Sequence, residues 1–74
     1  MKDDCFKIKE YGRTELALKY LPDLTAQSAW RKLRGWIENN ASLSDELYML
    51  GYDGSQRSFT PRMVSRIVYY LGTP

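Results

Sequence analysis

The stretch TAQSAWRKLRGWIENN, Thr25 to Asn40, holds both tryptophans of the chain and three of its eleven basic residues. Its periodicity decides how the rest is read. At about 100° per residue, Trp36, Ala29, Leu33, Ile37 and Trp30 fall within an arc of about 120°, the width of a core-facing helical stripe. Both tryptophans are therefore expected in the core. The opposite side collects Gln27, Ser28, Arg31, Arg34, Gly35 and Glu38, with Lys32 at its margin. Glycine inside a helix costs about 1 kcal/mol relative to alanine, and Gly35 lies on the side where packing does not explain it. A ligand approaching the backbone there is one explanation; an unconstrained surface position is the other.

Signals on either side bound this helix. Thr25 reads as its N-cap, with Leu24 and Ala29 spaced as a hydrophobic staple, and the helix runs to about Asn39. Upstream, Thr14 can cap a short helix with Glu15 in its first turn, Leu16, Ala17, Tyr20 and Leu21 on one face, and Pro22 as its stop. Before that, Phe6 and Ile8 alternate with Lys7 and Lys9 at the period of a half-buried strand, closed by Gly12. Downstream, Ser42 or Ser44 is expected to cap a third helix through Leu50, and Gly51 and Tyr52 supply the glycine and apolar residue that follow a helix end. Residues 53–55, DGS, form a turn, and Arg57 to Phe59 form a second short strand paired with the first. In FTP, Thr60 caps, Pro61 takes the first helical position and Phe59 staples to Val64. Val64, Ile67, Val68 and Leu71 form the buried stripe of the last helix, which Gly72 ends. The expected core is Phe6, Ile8, Leu16, Tyr20, Leu24, Ala29, Trp30, Leu33, Ile37, Leu47, Phe59, Val64, Ile67, Val68 and Leu71.

The expected fold is mainly α: a single small domain over residues 1–74, of about four helices, with a helix-turn-helix-like pair and a short two-stranded β ribbon. Residues 1–4 read as a frayed start. A chain of 74 residues that is 43% hydrophobic suits one core and no second. No apolar run approaches the roughly 20 residues that span a bilayer, and MKDDCFKIKEYG lacks the apolar region of a secretory signal, so a cytoplasmic protein with no membrane partner is expected. Cys5 is alone and histidine is absent, which excludes an intrachain disulfide and the usual zinc sets; Cys5 reads as a small hydrophobe. Without histidine, a paired-carboxylate motif or a phosphate-cradling glycine loop, neither catalysis, a cofactor, a metal nor a small-molecule substrate is expected.

Eleven basic residues against nine acidic give a net charge of +2, so attraction to a polyanion must come from local clustering. Arg31, Lys32 and Arg34 face only Glu38 within residues 26–40, and Arg57, Arg62 and Arg66 have no acid among residues 57–74. They form one stripe if the last helix packs beside the second, and scatter if it packs behind. Two helices joined by the tight PDL turn, the second carrying Gln, Ser, Arg and Lys outward near its start, are the ingredients of a helix-turn-helix. Arginine offers guanine a bidentate fork, glutamine pairs with adenine, and serine bonds base edges or phosphates.

The helix with Glu15, Leu16 and Ala17, the threonine-capped turn, the tryptophan-bearing helix and the Arg57-x-Phe59 segment together resemble DNA-binding heads of the MerR and excisionase type. The resemblance spans roughly residues 12–71. It implies a wing that touches the phosphate backbone, a role that Arg57, with Lys7 and Lys9 on the partner strand, would match. YGRTELA, PDLT, AWRKL, WI, GYD, FTP and LG-x-P, in that order, resemble over nearly the whole chain a family of short gut-bacterial proteins known as a domain of unknown function. That likeness implies a recurrent single-domain protein and transfers no activity. Two functions are expected from the residues. One is a helix-turn-helix module binding double-stranded DNA, with a regulatory or accessory role, through Gln27, Ser28, Arg31, Lys32, Arg34, Gly35, Arg57, Arg62, Arg66, Lys7 and Lys9. The other is a protein-interaction or homodimerisation module, suggested by six tyrosines, by Leu18 beside the buried stripe of the first helix and by Tyr69 among Ser65 and the arginines of the last.

Overall fold

The computed structural model describes residues 6–74. Among these the chain forms β1 (Tyr11–Gly12), α1 (Arg13–Tyr20), α2 (Ala26–Glu38), α3 (Ala41–Met49), β2 (Ser58–Phe59) and α4 (Pro61–Leu71). The mainly α domain with a two-stranded ribbon is therefore the observed fold. The ribbon is antiparallel, pairing Tyr11 with Phe59 and Gly12 with Ser58. The expectations for residues 1–4 and Cys5 lie outside the described residues.

The first strand is not where the Phe6/Ile8 alternation placed it. The Tyr11 hydroxyl donates to the Lys7 carbonyl at 2.9 Å, and Phe6 stacks on the Tyr11 ring at 5.1 Å, so the chain curls before it pairs. Ile8, expected in the core, is left 48% exposed. Two cap assignments also move. Gly12, not Thr14, precedes α1, with the Glu15 carboxylate accepting the Gly12 N–H at 3.2 Å. Asn40, not Ser42 or Ser44, caps α3 by accepting the Leu43 N–H at 3.0 Å; the Ser44 hydroxyl instead donates to the Ile37 carbonyl at 2.6 Å. This corner between α2 and α3 is only two residues long, which leaves Asn40 as the residue at the helix entry.

The remaining boundaries follow their signals. Thr25 accepts the Ser28 N–H at 3.2 Å and Thr60 the Met63 N–H at 3.3 Å, each satisfying an otherwise orphaned donor. At the end of α3, the Gly51 N–H donates to the Tyr48 carbonyl and the Tyr52 N–H to the Leu47 carbonyl, the two bonds of a Schellman motif, with Gly51 at φ +103°. Asp53 then accepts from both the backbone and the hydroxyl of Ser55 in the DGS turn, which holds its carboxyl below the usual range.

α1 packs chiefly on α2, while the main helical neighbour of α4 is α3. The core comprises Leu16, Ala17, Ala29, Trp30, Leu33, Ile37, Leu43, Leu47, Phe59, Met63, Val64 and Ile67, closed by Tyr11 and Tyr52. Phe6, Tyr20, Val68 and Leu71 are only partly buried against it. Besides Ile8, two more residues expected inside are not: Leu24 and Trp36 are each 37% exposed. Trp36 meets the edge of the Tyr20 ring at 6.3 Å. Burial pushes the pKa of the Tyr20 hydroxyl up to about 12, and that hydroxyl donates to the Gly72 carbonyl at 2.6 Å, joining the ends of α1 and α4.

Candidate nucleic-acid interface

Four inward residues, Ala29, Trp30, Leu33 and Ile37, fix the rotation of α2. Two i, i+4, i+8 rows therefore stand on its outer side: Ser28, Lys32 and Trp36 in one, Arg31, Gly35 and Asn39 in the other. Gly35 sits mid-row without a side chain, and a Cβ added there would meet nothing within 4 Å. A groove of about 530 Å³ results, lined by both rows and by Leu24 at its head. Among the described residues its lining contains two cations, the Ser28 hydroxyl, the Asn39 amide, an open backbone at Gly35 and two apolar side chains, and no acid.

The structure thus brings together Ser28, Arg31, Lys32 and Gly35, four of the residues singled out from sequence. Gln27 is exposed near the start of α2 but outside the groove. Arg34 lies on the other flank, its Nε 2.8 Å from Glu38 Oε2, so its charge is compensated. That pair borders a second depression with Ser44, Tyr48, Tyr52, Asp53 and Gly54. Burial raises the pKa of the Tyr52 phenol, whose hydroxyl finds no hydrogen-bond partner among the described residues.

The other basic residues do not join this groove. Arg57 is exposed just before β2, and its carbonyl accepts the Arg13 N–H at 2.9 Å. Lys7 and Lys9 are exposed on the irregular segment ahead of β1, with Lys9 over the Tyr11 ring at 5.1 Å, so no strand carries them beside Arg57. Arg62 and Arg66 belong to α4, which packs on α3 and β2. Arg66 Nε lies 2.5 Å from Glu46 Oε1 without aiming its N–H at that oxygen, and Nη2 donates to Glu46 Oε2 at 3.3 Å. Glu46 also accepts from the Tyr70 hydroxyl, the foremost reason its carboxyl is held below the usual range; Arg66 is the second. The single basic stripe does not form.

Leu24, Trp36 and Asn39 are groove residues that sequence reasoning missed. Their signal was the i+4 spacing of Trp36 from Lys32 and of Asn39 from Gly35, outweighed by the assignment of Leu24 and Trp36 to the core.

The family described as "Domain of unknown function (DUF4248)" matches residues 7–74. The chain belongs to that family. The DUF4248 match covers every described helix and both strands. No curated protein and no solved structure matches the chain. Among the described residues, no helix is long and apolar enough to cross a membrane.

Proposed function

We propose that this DUF4248 domain binds double-stranded DNA through the outer side of α2, as an accessory or regulatory module rather than an enzyme. The observation that carries the reading is the groove, without an acid among the described residues, in which Arg31 and Lys32 stand beside Ser28, Asn39 and the open Gly35 backbone. Phosphates draw cations without regard to sequence, while hydroxyl and amide groups address base edges or position the backbone. A backbone lacking Cβ permits closer approach than any other residue allows. The Thr25 cap and the inward Trp30 and Leu33 hold these groups on a rigid helix, so little ordering is required on binding. Gln27, exposed near the start of the same helix, extends the surface toward its N-terminus. Lys7, Lys9, Arg57 and Arg62 contribute at most a diffuse field. Titration of random-sequence duplex DNA at two salt concentrations tests the reading: affinity that falls with salt supports it, and no binding at micromolar protein at either salt overturns it.

A further inference from the structure

Among the described residues, none covers one side of the α3–α4 pair. Met49 is 86% exposed and Tyr69 70% exposed. Beside them a groove of about 310 Å³ is lined by Glu46, Met49, Leu50, Arg62, Ser65 and Arg66. At about 100° per residue, Tyr69 falls on the α4 stripe of Arg62, Ser65 and Arg66, and Asp45 on the outer edge of the α3 stripe of Glu46, Met49 and Leu50. Charge on this face is segregated by helix. α3 carries Asp45 and Glu46 and no basic residue; α4 carries Arg62 and Arg66 and no acidic one. Glu46 and Arg66 are engaged with each other across the groove, and Arg66 also lies 4.4 Å over the Tyr69 ring. Asp45 and Arg62 remain as its exposed charges.

We infer that this face pairs with the same face of a second copy of the chain, in an isologous two-fold dimer. A two-fold axis lying along the groove sets α3 of each copy against α4 of the other. Asp45 of each then comes within reach of the long Arg62 side chain of the other, twice per dimer, and Met49 and Tyr69 of both are covered. An axis across the groove would oppose like charges. The segregation also selects the occupant: an acidic peptide or a nucleic acid would meet Asp45 and Glu46, whereas a second copy satisfies both edges. This surface is distinct from the α2 groove, with which it shares no lining residue.

The test is sedimentation equilibrium of the full chain without DNA, so that its result is independent of the DNA reading. The parent should dimerise reversibly. Asp45→Arg and Arg62→Glu should each weaken the dimer by about tenfold or more, since the axis counts every reversal twice. Asp45→Arg combined with Arg62→Glu should restore it toward the parent value. Because both positions are exposed, all three variants should keep the parent's circular dichroism, and its thermal melt at concentrations low enough for every chain to be monomeric. A parent that stays monomeric up to millimolar concentration, single reversals without effect, or a combined variant no tighter than the single ones would each overturn the proposal.

Discussion

The Trp30 ring lies 5.9 Å from that of Phe59, tilted by 55°, and this contact ties the middle of α2 to the ribbon. Tyr52 stacks on the same Phe59 at 5.6 Å, and Arg13 covers Trp30 at 5.4 Å, so elements far apart in sequence meet at one aromatic cluster. Trp30→Ala should cost about 3–5 kcal/mol, the range for a large aromatic deleted from a core, against the roughly 3–5 kcal/mol that a single core of this size rarely exceeds. Thermal melting should show the variant unfolded or nearly so. Trp36→Ala should cost clearly less, chiefly the about 0.5–1.5 kcal/mol of an edge-on aromatic pair plus its partial burial. Equal losses for the two tryptophans would contradict the rotation of α2.

Two glycines should respond to alanine with opposite signs. Gly35 is helical with open space where a Cβ would go, so Gly35→Ala should raise stability by about 1 kcal/mol in denaturant titrations. The same methyl should weaken duplex binding if DNA approaches that backbone. Gly51 holds φ +103° in the turn that ends α3, so Gly51→Ala should lower stability by about 1–2 kcal/mol even though nothing crowds the site. A stabilised Gly51→Ala would mean the helix ends differently.

Acid should loosen the α3–α4 contact. Glu46 is held below its ordinary value of 4.5 by the Tyr70 hydroxyl first and by Arg66 second. The unfolded chain therefore takes up this proton at higher pH than the folded one. The contribution is complete above about 4.5 and is lost as pH falls through the folded-state value. Glu46→Gln should be less stable than the parent at neutral pH and should converge with it in acid. Parallel stability curves down to low pH would remove Glu46 from the account.

The rotation of α2 was legible because Ala29, Trp30, Leu33 and Ile37 occupy consecutive turns and agree on one direction. Thr25, Gly51 and Thr60 were legible for a similar reason, since a cap is fixed by backbone geometry within a few residues. Trp36 was not, because it sits at the edge of the apolar arc, where burial depends on whether a neighbouring helix reaches it. Leu24 was misplaced because its staple spacing with Ala29 marks the helix entry without requiring that anything cover the side chain. The Phe6/Ile8 alternation satisfied the period of a strand, yet the Tyr11 hydroxyl bond to Lys7 and the stacked Phe6 ring curl that segment. As for the site, Ser28, Arg31, Lys32 and Gly35 follow from local periodicity. The separation of Arg62 and Arg66 from them depends on α4 packing against α3, a tertiary choice that no local signal encodes.

Salt dependence of duplex binding by the Arg31→Ala, Lys32→Ala double variant tests the α2 groove most directly. Both side chains are exposed and form no ion pair among the described residues, so stability should change by less than about 0.5 kcal/mol per site. Each phosphate contact removed should reduce the magnitude of the slope of log K against log salt by about 0.9, while a lost base contact should cost about 1–3 kcal/mol on the preferred sequence alone. The expected result is a folded variant with weaker binding and, where phosphates are contacted, a shallower slope; a variant that binds as tightly as its parent with the same slope would contradict DNA binding by this groove.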